Sequence, residues 1–276
     1  MAPDYLLLGH FTRDLLPDGS TTPGGTAMYS SLTAHRLGAR VAVVSAPAPL
    51  PAEWPAEIEV AYCERLPAPT FENRYTPAGR VQILHAAAGQ ITLDDVPAEW
   101  RSAPVIHLGP VAAETSAELS LAFPDALVGM TPQGLMREWR EPLPGPVMYR
   151  PWRPEPELLR QIDVLVLSIE DVRGDESLAI DYARHCRLVA LTRGAAGSTL
   201  FIEGKPHPIA ACPADERDPT GAGDVFAAAL FVRLHETGDP IEAANFAACV
   251  AGRSVEGPGA SAIPTRAEVN QRRGQM

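Results

Sequence analysis

Asp218-Pro219-Thr220-Gly221-Ala222-Gly223-Asp224, followed by the apolar run Val225-Phe226-Ala227-Ala228-Ala229-Leu230, is the stretch from which the rest of the chain can be read. Phe226, Leu230 and Leu234 recur every four residues and predict a helix that Gly238 stops. Three small residues at its start leave backbone N–H groups uncovered. A helix N-terminus also carries partial positive charge, so the two together make a cradle for an anion. Asp224 would repel a phosphate, so its place there is not to bind one. It can instead take a proton from a hydroxyl lying beside a bound phosphoryl group. The plainer alternative is an ordinary capped helix, with Thr220 as N-cap and Asp224 favourable in the first turn.

Outward from that string, the chain reads as one α/β domain spanning residues 1–276. Tyr5 to Gly9 and Arg40 to Ala46 are short apolar runs of the kind buried in a parallel sheet. Gly24-Gly25 opens a helix between them that ends near Leu37-Gly38, giving a βαβ unit with a right-handed crossover. Further strands are expected at Val105–Leu108, Ala126–Met130, Val164–Leu167, Leu188–Thr192 and Thr199–Ile202. Pro240 at a first helical position starts another helix, Ile241 to about Arg253. Residues 47 to 93 differ: they are proline-rich, and the runs 70–75 and 80–84 alternate in polarity as half-exposed antiparallel strands do. A small accessory sheet, drawn from about 12–23 and 53–93, is the expected arrangement.

Composition excludes several classes. The chain has 276 residues, 46% hydrophobic, enough for one sizeable core. Its formal charge of −11 argues against a nucleic-acid partner. No run approaches the length of a membrane span and the N-terminus lacks a secretory pattern, so a soluble cytoplasmic protein is expected. The cysteines, Cys63, Cys186, Cys212 and Cys249, form no CxxC and read as reduced core residues. Lys205 is the sole lysine and precedes Pro206, so neither a P-loop nor Schiff-base chemistry is supported.

With these residues in view, the chain resembles the ribokinase-like (PfkB) carbohydrate kinase family. DPTGAGD matches the family's C-terminal signature, and the other elements follow in the family's order across nearly the whole chain. The resemblance implies a three-layer α/β/α sandwich, a mostly parallel central sheet and a small antiparallel β lid. It implies transfer of the γ-phosphoryl group of ATP to a hydroxyl of a small molecule, with Mg²⁺ and, in some members, a monovalent cation. Asp224 would be the general base, and the amides of Gly221, Ala222 and Gly223 the anion hole. Gly24-Gly25-Thr26 resembles the N-terminal signature at the acceptor, and Asp14 matches the aspartate that grips acceptor hydroxyls. Asn73 on the lid would contact the acceptor, with Gln82 as an alternative; a polar strand residue facing water is the plainer account of either.

On the nucleotide side the resemblance points to Ser168, Thr192, Gly194, Gly197, Asn245 and Gly259. Thr192 to Gly197 also reads as a plain tight turn, and Asn245 as a helix-packing residue. The family's N-x-x-E element appears as Ser168-Ile169-Glu170-Asp171, so Asp171, through a water, would stand for the glutamate at the metal, with Glu170 competing. Tyr29 and Thr12 stand where many members carry asparagine. These departures leave the phosphoryl end intact and the acceptor open: a sugar first, a nucleoside or an inositol-type cyclitol as alternatives. Outside the class stand a non-catalytic sensor on the same fold and a nicotinamide-dependent oxidoreductase, which lacks its G-x-G-x-x-G after the first strand. The exposed lid edge invites a homodimer.

Overall fold

A computed structural model describes residues 2–63, 67–76 and 79–275. In chain order the strands are β1 Tyr5–Leu8, β2 Thr12–Leu15, β3 Thr21–Gly24, β4 Val41–Ser45, β5 Glu59–Tyr62, β6 Thr70–Thr76, β7 Gly79–Ala86, β8 Val105–Leu108 and β9 Leu127–Met130. They continue as β10 Arg137–Glu138, β11 Gly145–Pro146, β12 Met148–Tyr149, β13 Val164–Ser168, β14 Leu188–Thr192, β15 Ser198–Ile202 and β16 Lys205–Ile209. The α-helices are α1 Thr26–Arg36, α2 Pro156–Leu159, α3 Ser177–Ala183, α4 Ala222–Thr237, α5 Pro240–Ser254 and α6 Arg266–Arg273.

The large sheet runs β16-β15-β14-β13-β9-β8-β1-β4-β5, with every strand in one direction except β15, which is antiparallel to both β14 and β16. Its strands are apolar on both faces, and alternate residues feed two separate cores. Leu7, Val43 and Val166 pack with α1, α4 and α5, whereas Leu8, Val44 and Leu167 pack with Trp100, Phe123 and the α3 side. The result is a three-layer α/β/α sandwich with a mostly parallel central sheet and a smaller five-stranded sheet, β11-β7-β6-β2-β3.

Two boundaries differ from the sequence reading. Glu59–Tyr62 falls in the range assigned to the lid, yet β5 pairs in parallel with β4 and forms the edge of the large sheet. Gly145–Pro146, far from that range, pairs with β7 in the small sheet instead. Both segments are too short to carry a periodic signal. Residues 64–66 and 77–78 of the assigned lid range lie outside the described residues. No helix among the described residues is long and apolar enough to cross a membrane.

Strand order reverses between β1 and β8, which makes their carboxyl ends the crevice where open α/β sheets bind ligands. The chain is squeezed there. A Cβ on Gly9 would stand 2.4 Å from the carbonyl O of Gly109, and one on Gly109 would stand 2.6 Å from Thr26 Cγ2. Only glycine at both positions lets α1 and its Thr26 approach the mouth of the crevice.

Candidate active site

The first turn of α4 opens onto this crevice. Its N-cap is Gly221, left-handed at φ 77, with no side-chain cap. The simple capped-helix alternative, with Thr220 as N-cap, is therefore not what forms. Glycine is required twice over, because a Cβ there would also stand 2.3 Å from the Tyr29 ring. The string is held from upstream: Asp218 accepts from Thr220 N at 3.0 Å and from Gly259 N at 2.7 Å. Burial works to raise the Asp218 pKa, but these hydrogen bonds outweigh it and hold the carboxyl below its ordinary value.

The Ala222 N–H, expected in the cradle, donates to Pro219 O at 3.1 Å, because the chain tightens into a turn just before the helix. Among the described residues, the N–H groups of Gly221 and Gly223 meet no protein acceptor. An ideal Cβ on Gly223 would meet no atom within 4 Å, so open space lies beside it.

Asp224 is half-buried in this first turn. Thr26 Oγ1 donates to Asp224 Oδ1 at 2.8 Å, and Ser30 Oγ donates to the Asp224 carbonyl at 3.1 Å. Burial pushes the Asp224 carboxyl up to about 6; the Thr26 hydrogen bond opposes this, the charge of Asp171 adds to it and that of Arg137 opposes it. A carboxylate with a pKa near neutrality suits proton transfer in both directions.

Asp171 is bound into the turn after β13. Ser168 N donates to Asp171 Oδ2 at 2.8 Å, Asp171 N donates to Ser168 Oγ at 3.1 Å, and Gln133 Nε2 donates to Asp171 Oδ1 at 3.2 Å. Glu170 is exposed. Of the two competing carboxylates, Asp171 is the one electrostatically coupled to Asp224.

On the other side, the small sheet turns one face to the crevice. Asp14 pairs with Phe71 and Thr22, Phe71 with Leu84, and Asn73 with Gln82, so in-register partners share that face. Phe71 and Leu84 pack on Val111 and Ala112 in the loop after β8. A Cβ on Gly24 would stand 2.7 Å from Asp14 Oδ2, so the Asp14 carboxylate lies against the diglycine backbone. Gln82 Nε2 donates to Asn73 Oδ1 at 3.3 Å, which makes the two alternatives neighbours.

Thr192 ends β14, and Gly194 to Ala196 form a short 3-10 turn into β15. Gly197, at φ 82, brings the turn against Ile209 O, 2.4 Å from where its Cβ would be. Asn245 is less committed than its family role implies: it is exposed, and Nδ2 donates to Ile241 O of its own helix at 2.9 Å.

Residues 152–266 match the family model for pfkB family carbohydrate kinases. The whole chain is similar in structure to a pyrophosphate-dependent kinase of the ribokinase family solved with a pyrophosphate analog and myo-inositol (TM-score 0.76, 21% identity, 97% of this chain and 99% of that one). It is similar also to Arabidopsis thaliana ribokinase complexed with ribose and ATP (TM-score 0.72, 20% identity, 99% of each chain). A third is the nucleoside kinase of Methanocaldococcus jannaschii (TM-score 0.69, 16% identity, 100% of each chain). The chain as a whole has the ribokinase fold, and the pfkB family match lies in its C-terminal part. No curated protein matches it in sequence.

Two residues of this ribokinase-fold crevice were not singled out from sequence. Arg137 donates to Val111 O at 2.8 Å, and its guanidinium carbon lies 5.5 Å from the centre of the Phe71 ring. It thus joins the loop that holds Asp171 to the lid, within electrostatic reach of Asp224. Glu114, buried, accepts from Val111 N at 2.9 Å, Ala112 N at 2.6 Å and His10 N at 3.3 Å, fixing the loop on which Arg137 rests. Neither stands in a motif. The scarcity of lysine was the one available signal that a cation here must be arginine.

Proposed function

We propose that this protein is a kinase that transfers the γ-phosphoryl group of ATP to a hydroxyl of a small polyol, a sugar in the first instance. One juxtaposition supports the reading: a carboxylate whose pKa is raised to about 6 stands at the first turn of α4, beside open N–H groups, at the switch point of the sheet. The donor phosphates lie against Gly221 and Gly223, and the acceptor lies between Gly24-Gly25-Thr26 and the lid face carrying Asp14 and Asn73. Asp224 takes the hydroxyl proton as the oxygen attacks, and Thr26 keeps its carboxylate aimed. Arg137 faces charge on the transferred group from the lid side. Phe71 and Leu84 exclude water, which suppresses hydrolysis of the donor.

The family implies Mg²⁺. Among the described residues no group of three or more His, Cys, Asp or Glu could hold a metal. Magnesium needs only one or two carboxylates where phosphates supply its other ligands, so a lone Asp171 near the donor fits. When bound, the ion neutralises phosphate charge. Ser168, Thr192, Gly194, Gly197, Asn245 and Gly259 would line the nucleotide side.

A second donor, inorganic pyrophosphate, is kept in view by the pyrophosphate-dependent kinase among the structural neighbours. The structural neighbour solved with myo-inositol keeps a cyclitol acceptor in view. Donor consumption with ATP and with pyrophosphate, across sugars, cyclitols and nucleosides, tests the proposal. Turnover with one acceptor class supports it; tight binding of a polyol without any turnover favours the sensor.

A further inference from the structure

Cys212 and Cys249 are far apart in the chain, yet the fold sets them in facing walls of one cavity. Cys212 lies in the loop between β16 and α4, Cys249 on α5, and the cavity of about 130 Å³ is completed by Ala210, Ala211, Asn245 and Arg273. The two thiols are in hydrogen-bond contact, and Arg272 of α6 is hydrogen-bonded to the Cys212 sulfur. One helical turn beyond Cys249, a Cβ at Gly252 would stand 3.2 Å from the Cys212 Cβ and 2.9 Å from its carbonyl O. Loop and helix therefore touch with no spacer between them. Cys186 differs: its sulfur is engaged by Ile162 O at 3.1 Å and Leu188 O at 3.2 Å in the opposite core.

We propose that Cys212 and Cys249 form a reversible disulfide that narrows this cavity and ties down the loop leading into Asp218–Gly221. A peroxide is the oxidant, small enough to enter. One thiol attacks an oxygen of hydrogen peroxide, giving a sulfenic acid and water. The second thiol then attacks that sulfur, the S–S bond forms and a second water leaves. Two thiols lose two hydrogens and two electrons; the peroxide becomes two waters. Burial pushes the Cys249 thiol up to about 12, so it is the slower sulfur towards peroxide, and when it attacks the sulfenic acid its proton leaves with the hydroxyl as water. Arg272, hydrogen-bonded to the Cys212 sulfur, can offset charge developing there.

Bond formation draws the sulfurs from contact to about 2.05 Å. The loop gives way rather than α5, which is packed along α4. The loop's far end carries Asp218, whose carboxylate holds Thr220 and Gly259 beside the cradle. An effect on the phosphoryl donor rests on the proposed function; the disulfide itself does not.

Peptide mapping of the full chain after hydrogen peroxide, without reduction, should give one Cys212–Cys249 crosslink. It should be reversed by dithiothreitol, missing in Cys212→Ser and in Cys249→Ser, and accompanied by alkylatable Cys63 and Cys186. ATP affinity by calorimetry should fall about tenfold on oxidation and return on reduction, a loss of about 1.4 kcal/mol. Sulfinic or sulfonic products without a crosslink overturn the proposal, as does crosslinked protein that binds ATP unchanged. If the crosslink forms but even the reduced chain binds neither ATP nor pyrophosphate, the kinase reading fails and the disulfide stands.

Discussion

The two ends of the crevice are made in opposite ways. At the proposed phosphoryl end, the assigned cradle and base lie within seven consecutive residues, and their geometry is fixed by near neighbours: a left-handed Gly221, a turn closed by Ala222 on Pro219, and Asp218 on Thr220. At the acceptor end, β2, β6 and β7 each contribute one or two side chains, and the face exists only because the register puts Asp14, Phe71, Leu84, Asn73 and Gln82 on one side. A contiguous site tolerates little, since each residue constrains the next. A face assembled across strands can exchange single contacts and so change its acceptor while keeping its chemistry.

The comparison predicts that damage at the first end lowers kcat and damage at the second raises the acceptor KM. The largest effect belongs to Asp224→Asn. Turnover should fall roughly 10²–10⁴-fold with donor binding retained, measured by steady-state kinetics beside calorimetry. The same substitution should stabilise the fold. A carboxyl with its folded pKa raised contributes most below its unfolded value of about 3.8 and loses that contribution as pH rises through about 6. The melting temperature of the variant should therefore exceed wild type well above pH 6, and the gain should vanish in acid.

Gly221→Ala comes next. The left-handed backbone costs about 1–2 kcal/mol for a residue with a Cβ, and the methyl also meets the Tyr29 ring at 2.3 Å. Turnover and melting temperature should fall together; wild-type values for both would mean that the first turn is more pliant than its contacts imply. Arg137→Gln should lower kcat roughly tenfold. It should also move the acid limb of the pH profile upward, because the guanidinium now holds Asp224 down. An unmoved limb would separate Arg137 from the base. The smallest effect, Asn73→Ala, should raise the acceptor KM about fivefold, the worth of one net hydrogen bond, with kcat kept. A fall in kcat there instead would erase the distinction between the two ends.

How legible each end was in sequence follows the same division. The strands of the large sheet stood out because buried parallel strands are continuous apolar runs, and Tyr5–Leu8, Val41–Ser45 and Val164–Ser168 lie within a residue or two of expectation. Asp218 to Asp224 could be read because the site is local. β5 and β11 were misassigned or unforeseen because which sheet a four- or two-residue strand joins depends on distant partners. Arg137 and Glu114 escaped for a related reason: each acts through Val111, a contact that spacing does not encode. The Ala222 amide was counted as open because turn closure by Pro219 is a matter of dihedral angles.

The claim on which everything else depends is that Asp224 is the group that must lose its proton before transfer. The pH dependence of kcat/KM for the acceptor tests it most directly. The rate should fall as pH drops through about 6, and this limb should be absent from the residual activity of Asp224→Asn. An acid limb that persists unchanged in the variant would assign the proton to another residue.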